Sequence, residues 1–358
     1  MKKLVFALAA SAAMIVGVGA ASAQDKMKAC FIYVGPIGDF GWSYQHHQGA
    51  LEMQKNLGGE DKVEIAYLES VPEGADAERA IERFARSGCK IIFTTSFGYM
   101  DATNAVAGKF PDVKFEHATG FKRDHPNVST YNSKFHEGRY VQGVIAAKMS
   151  QKGVAGYIAS FPIPEVVMGI DAFMLGAQSV NPDFKLKIVW ANTWFDPGKE
   201  ADAAKVLIDQ GVDVITQHTD STAPMQVATE RGIKAFGQAS DMIKFGPTTQ
   251  LTAIVDDWGP YYTERVKALM DGTYQQIDIW GGMKEGHVVM APYTNMPDDV
   301  KALAEETQKK IVDGFNPFTG PVSKQDGTEW LAAGATAPDG ELLGLNFYVK
   351  GVEGELPK

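Results

Sequence analysis

Apolar runs of strand length alternate along the chain with segments whose apolar residues recur at helical spacing. The runs are Ala29–Val34, Val63–Leu68, Lys90–Thr95, Val113–His117, Val154–Ser160, Leu186–Ala191, Val212–Gln217 and Lys234–Gln238, with another at Leu251–Val255. Helical patterns between them include Ser43–Leu57, Ala75–Arg86, Gly138–Met149, Glu165–Ser179, Lys199–Asp209 and Pro224–Arg231. Strands that are apolar throughout, rather than alternating, are covered on both faces, which predicts an α/β fold built on parallel sheets.

A repeat divides this pattern in two. The stretch Tyr67-Leu-Glu-Ser-Val71, followed by Ser87-Gly88-Cys-Lys-Ile91-Ile92, recurs as Trp190-Ala-Asn-Thr-Trp194, followed by Gln210-Gly211-Val-Asp-Val214-Ile215. Each copy reads as strand, loop, helix, glycine at the helix end, strand. Two doubly wound lobes joined by a hinge follow, with residues 24–129 plus 253–285 in one and 130–252 plus 286–358 in the other. Ligands of such sheets bind in the crevice beyond the carboxyl ends of the strands, and hinge closure is the motion to expect. Trp330, Leu342, Leu343 and Phe347 indicate that the tail from Phe315 to Lys358 packs onto a lobe.

The strand ends supply the candidate contacts. After the first strand comes Gly35-Pro-Ile-Gly38-Asp39-Phe40-Gly41-Trp42-Ser43, whose glycine spacing does not match the dinucleotide fingerprint. Asp39 and Ser43 suit helix capping as well as ligand contact, whereas Trp42 can overhang the cleft. The repeat brings Trp194 to an equivalent place in the other lobe. One indole from each lobe would sandwich a planar heterocycle, each aromatic face contributing about 1–3 kcal/mol. Ser96 and Phe97, Thr119, Asp220, Ser240 and Asp241, and Asp256 follow later strands and occupy the rim where orienting hydrogen bonds belong.

Composition narrows the partners. Of 358 residues, 45% are hydrophobic, and 34 Lys plus Arg stand against 44 Asp plus Glu for a net charge of −10, which offers no footprint for nucleic acid. Lys2 and Lys3, the uncharged run Leu4–Gly19 and then Ala21-Ser22-Ala23 form a secretory signal. A membrane anchor is the competing reading of that run. Cleavage near Ala23 would release a soluble periplasmic chain over residues 24–358, with no Cys at the cut to carry a lipid. Cys30 and Cys89 enter an oxidising compartment; the reading favours two buried free thiols, with a disulfide as the alternative should their strands be neighbours.

Several motifs resemble the basic membrane protein family, receptors of ABC-type importers that include purine nucleoside receptors with a periplasmic-binding-protein type I fold. They are Gly38-Asp39-Phe-Gly-Trp42-Ser43, Phe110-Pro-Asp-Val-Lys-Phe115, Glu137-Gly138, Val180-Asn-Pro-Asp183, Trp194-x-Asp196-Pro197 and Gly-x-Lys284-Glu-Gly286. The resemblance implies a purine ligand, a membrane permease as partner, a monomer, and Trp42 and Trp194 in the places of two clasping Phe rings. Lys284 joins the candidate contacts on the same ground. The family's ribose-binding Gly-Val-Asp reads Gly237-Gln238-Ala239 here, and its Lys appears as Asp256. With both sugar contacts missing, a free base, adenine foremost, is expected over a nucleoside, and a cleft-facing Asp256 would accept from an amino or ring N–H group.

Enzyme readings are weaker. His46 and His47 are adjacent on a helix and point about 100° apart, so they cannot share a metal. Thr95-Ser96-Phe97-Gly98 lacks the leading glycine of a nucleophile elbow. Nucleoside hydrolysis by Asp39, Asp241 or Asp256 is the rival of another class, and a sensory ligand-binder is a third reading. No cofactor is implied.

Overall fold

The computed structural model describes residues 26–357, so the signal segment expected over 1–23 lies outside the described residues. The chain runs β1 (Met27–Tyr33), α1 (Trp42–Asn56), β2 (Val63–Leu68), α2 (Ala75–Arg86), β3 (Ile91–Thr95), α3 (Met100–Ala107), β4 (Lys114–Ala118) and β5 (Val128–Ser133). It crosses to a second lobe through α4 (Phe135–Met149), β6 (Val154–Ala159), α5 (Pro164–Gln178), β7 (Lys185–Trp190), α6 (Pro197–Asp209), β8 (Val214–Gln217), α7 (Ala223–Arg231), β9 (Lys234–Gly237) and β10 (Gln250–Asp256). It then returns to the first lobe through α8 (Gly259–Met270) and β11 (Asp278–Gly281). The second lobe is completed by β12 (Val288–Met290), α9 (Asp298–Val312), β13 (Val322–Ser323), β14 (Glu329–Leu331), α10 (Asp339–Leu342) and β15 (Val352–Glu353).

Strand order is β11-β5-β4-β3-β1-β2 in the first sheet and β12-β10-β9-β8-β6-β7-β15 in the second. Neighbours are parallel except β10 and β12. The unbroken apolar run of β1 has a direct cause in this layering. Cys30 and Ile32 enter one apolar cluster while Ala29, Phe31 and Tyr33 enter another on the opposite face, so both sides of the strand are dry. The repeat is also structural: α2 and α6 lead into turns at Gly88 (φ +87°) and Gly211 (φ +95°), a backbone region that glycine enters at low cost.

Three expectations change. The crossovers fall a few residues beyond the expected limits: β5 lies wholly in the first sheet, to Ser133, and β10 wholly in the second, to Asp256. Cys30 and Cys89 are not free thiols but a disulfide, with Cα atoms 6.0 Å apart, because β1 and β3 are adjacent and Cys89 sits just before β3. The tail packs on the second lobe: β15 extends that sheet beside β7, and the carboxylate of the buried Asp171 on α5 accepts from the Val349 backbone N–H at 3.0 Å. Leu342 is buried there, but Leu343 is exposed.

The disulfide closes a sequence separation of 59 residues and lies in the helix-covered core. Replacing both cysteines by alanine is expected to lower unfolding stability by about 2–4 kcal/mol, read by urea denaturation.

Candidate functional site

The strand order places the crevice. In the first sheet the chain leaves β1 and β3 in opposite directions, and in the second it does so at β6 and β8, so the loops after these strands part to leave an opening. The two openings face each other. One cavity between the lobes is lined by Val34, Trp42, Ser96, Phe97 and Thr119 from the first lobe, and by Ile163, Glu165, Trp194, His218, Asp220 and Gln238 from the second.

Six of the residues expected from the sequence therefore meet: Trp42, Ser96, Phe97, Thr119, Trp194 and Asp220. The two indoles do not occupy pseudo-equivalent positions. Trp42 opens α1 after the first strand of its lobe, whereas Trp194 follows β7, the second strand of the other. Each is held by its ring nitrogen, Trp42 donating to the Thr95 carbonyl at 2.7 Å and Trp194 to Glu73 Oε1 at 3.2 Å. Trp42 is further braced edge-on by His46 and Trp258, and Trp194 by Phe161.

The other expected contacts lie elsewhere. Asp39 is a cap, its carboxylate accepting from the backbone N–H groups of Gly41, Ser43 and Tyr44 at 2.8–3.1 Å. Ser43 Oγ accepts from the Gly35 N–H at 3.0 Å, which commits it to the same turn. Ser240 Oγ donates to the Phe40 carbonyl of the opposite lobe. Asp241 is exposed and accepts from Ile243 N and Gln250 Nε2. Lys284 is exposed on a separate pocket with Lys134 and Glu285. Asp256 is fully buried and is not among the residues that line this cavity, with the Ser133 hydroxyl and Glu165 as its polar neighbours.

Burial without cations determines the charge state of the slot. The Asp220 carboxyl is held well above the usual range by burial and by the neighbouring Asp39 and Glu200. Burial likewise pushes Glu165 up to about 7 and Asp256 up to about 8. His218 is held well below its ordinary value by burial and by the Arg139 charge, and so is a neutral imidazole. Arg139 itself lies fully buried behind the slot, where Nη2 donates to Gln238 Oε1 and to the Gln217 carbonyl. With its oxygen engaged, the Gln238 amide presents N–H groups to the cavity. Glu165, His218 and Gln238 were not among the expected contacts, although His218 and Gln238 directly follow strand ends.

The lobes are closed on each other. The Trp42 backbone N–H donates to Asp220 Oδ1 at 3.3 Å, and Glu73 Oε1 accepts from Trp194 as well as from Ser96 Oγ at 2.5 Å on its own lobe. Gly41 lies so close to the opposite lobe that a Cβ there would be 2.5 Å from the Asp220 carbonyl oxygen. In this closed arrangement the slot retains about 30 Å³, so entry of anything much larger than water requires the hinge to open.

Comparison with known proteins bears on what the slot takes. Residues 26–316 match the family model described as ABC transporter substrate-binding protein, PnrA-like. A purine-binding protein of Brucella abortus is 69% identical over 341 residues, covering 95% of this chain and 97% of that one. A putative ABC transporter glucose-binding protein of Haloferax volcanii is 35% identical over 341 residues, covering 95% and 83%. The crystal structure of an ABC transporter solute-binding protein from Aeropyrum pernix shares the fold, with a TM-score of 0.71 at 19% identity over 88% of this chain and 97% of that one.

Two outcomes follow. Gly41→Ala is expected to hold the lobes apart, which small-angle scattering would read as a larger radius of gyration. The second concerns pH. Asp256 has an ordinary carboxyl value of 3.8 but about 8 when folded, so over that range the folded chain keeps a proton the unfolded chain has lost. Stability therefore falls as pH rises through the window. Buried neutral histidines such as His117, lowered to about 4, remove stability below about pH 6.5, leaving pH 7 to 8 as the clean test. Unfolding free energy should drop by about 1 kcal/mol for Asp256 across that unit, and Asp256→Asn should flatten the slope.

Proposed function

The chain belongs to the PnrA-like family of ABC transporter substrate-binding proteins, and from that premise we propose that it captures an uncharged purine nucleobase, adenine foremost, between Trp42 and Trp194. The ligand is handed to a membrane permease from the periplasm, where the receptor acts as a monomer. Its relatives by family and fold are substrate-binding proteins, and capture needs no catalytic step.

The observation that carries this reading is the meeting of two indoles from opposite lobes in one cavity with acids whose carboxyls burial pushes up. A planar ring gains from both aromatic faces. Its edge needs donors for ring nitrogens and acceptors for amino and ring N–H groups. In their protonated forms Asp220 and Glu165 offer one O–H and one C=O each, and Gln238 adds N–H donors. Nothing in this set favours a charged ligand. The 69% identity to a purine-binding protein supports a purine over the hexose of the more distant relative.

A nucleoside is the second reading, favoured by a chamber of about 600 Å³ that adjoins the slot. Against it stands the sugar position, where Ala239 takes the place of the family's carboxylate and Asp256 is not among the residues that line the slot. Hydrolysis is disfavoured because the family and the 69% identical relative are binding proteins.

Calorimetry on the mature receptor should show adenine binding more tightly than adenosine; the reverse order overturns the base reading. Trp42→Ala and Trp194→Ala should each weaken adenine about tenfold or more. Incubation with inosine should release no ribose.

A further inference from the structure

The chamber of about 600 Å³ shares Phe97, Thr119 and Glu165 with the indole slot, so the two are one continuous space. Apolar side chains, Phe135, Met168, Trp280 and Leu343, form much of its remaining wall. The groups that line it with a charge are Asp278, paired with Arg123 at 2.9 Å, and Asp339, while burial raises Glu165 and holds His136 neutral. The nearby ammonium of Lys134 lies 5.1 Å from the centre of the Trp280 ring and pairs with Asp339 at 3.4 Å, so it offers little net positive field. Ser133, 2% exposed, also lines the chamber, with its hydroxyl beside the Asp256 carboxyl.

The wall contributed by Asp339, Gly340, Leu343 and Gly344 has a separate origin. It comes from the tail, beyond residue 316 where the family match ends. The tail therefore closes off a compartment that the family core alone does not build.

We propose that this chamber receives an uncharged, largely apolar substituent carried by the planar ligand, so that the receptor takes aryl- or alkyl-substituted purines as well as the bare base. The inference rests on the base-capture reading above. Apolar walls favour a hydrocarbon group, and Ser133 can serve one polar atom at its root. Arg123 and Lys134, the cations beside the chamber, are already paired with Asp278 and Asp339, so a phosphate finds no free counter-charge there and nucleotides are disfavoured.

The test is calorimetry on the full mature chain with adenine, N6-benzyladenine, 9-benzyladenine and AMP. Whichever edge of the base faces the chamber, one benzyl derivative should bind within tenfold of adenine or more tightly, and AMP should not bind. A second variant makes the reading specific. Gly340 lines the chamber, and a Cβ added there meets nothing within 4 Å, so Gly340→Trp fills the space without disturbing the backbone. It should weaken the favoured benzyl derivative tenfold or more while leaving adenine within twofold. Both benzyl derivatives binding more than tenfold weaker than adenine, or Gly340→Trp leaving the favoured one unchanged, overturns the chamber assignment alone. AMP binding as tightly as adenine overturns the exclusion of anions. Failure of adenine itself to bind overturns the base reading and this inference together.

Discussion

Closing two lobes over a slot removes acids and an imidazole from water without bringing a cation to face them. That constraint governs the rest of the site. A buried carboxylate with no partner is costly, so Asp220 is held well above the usual carboxyl range, Glu165 is pushed up to about 7, and His218 stays neutral with the Arg139 charge behind it. The guanidinium is surrounded by neutral acceptors, among them Thr216, Gln217 and Gln238, which orient the amide at the slot and leave no bare positive charge in it. The result is a lining rich in hydrogen-bonding capacity and poor in net charge. Such a lining selects on shape and on the order of donors and acceptors around a ring.

The fold was largely legible because its strands are dry on both faces. Continuous apolar runs located β1 through β4 and β6 through β10 to within about two residues. The polar strand β5, Val-Ser-Thr-Tyr-Asn-Ser, escaped that pattern, since its Ser129 and Thr130 are buried through hydrogen bonds to Arg265, Tyr274, Arg123 and Asp278. The crossover limits shifted with it. The disulfide escaped because strand adjacency, and not spacing, decides whether Cys30 and Cys89 can meet.

Within the site, bulky groups at strand ends were the readable signal. Trp42 and Trp194 stood out because an aromatic ring beside a glycine-rich or helix-starting turn has few other uses. Asp39 and Ser43 occupy the same loop, yet the first turn of α1 has unpaired N–H groups that claim the Asp39 carboxylate before any ligand does. His218 obeys the same strand-end rule as Ser96 and Asp220, directly after β8, and strict use of that rule would have found it, whereas Glu165 lies in the first turn of α5.

The tail also changes the outline of the second sheet. An uncovered strand edge is a row of unpaired amides and carbonyls that a second polypeptide can join. By lying along β7, the short strand Val352–Glu353 occupies part of that row with the last structured segment of the chain itself. A copy lacking this strand would therefore leave that row open and remain adhesive even with every slot-lining residue in place.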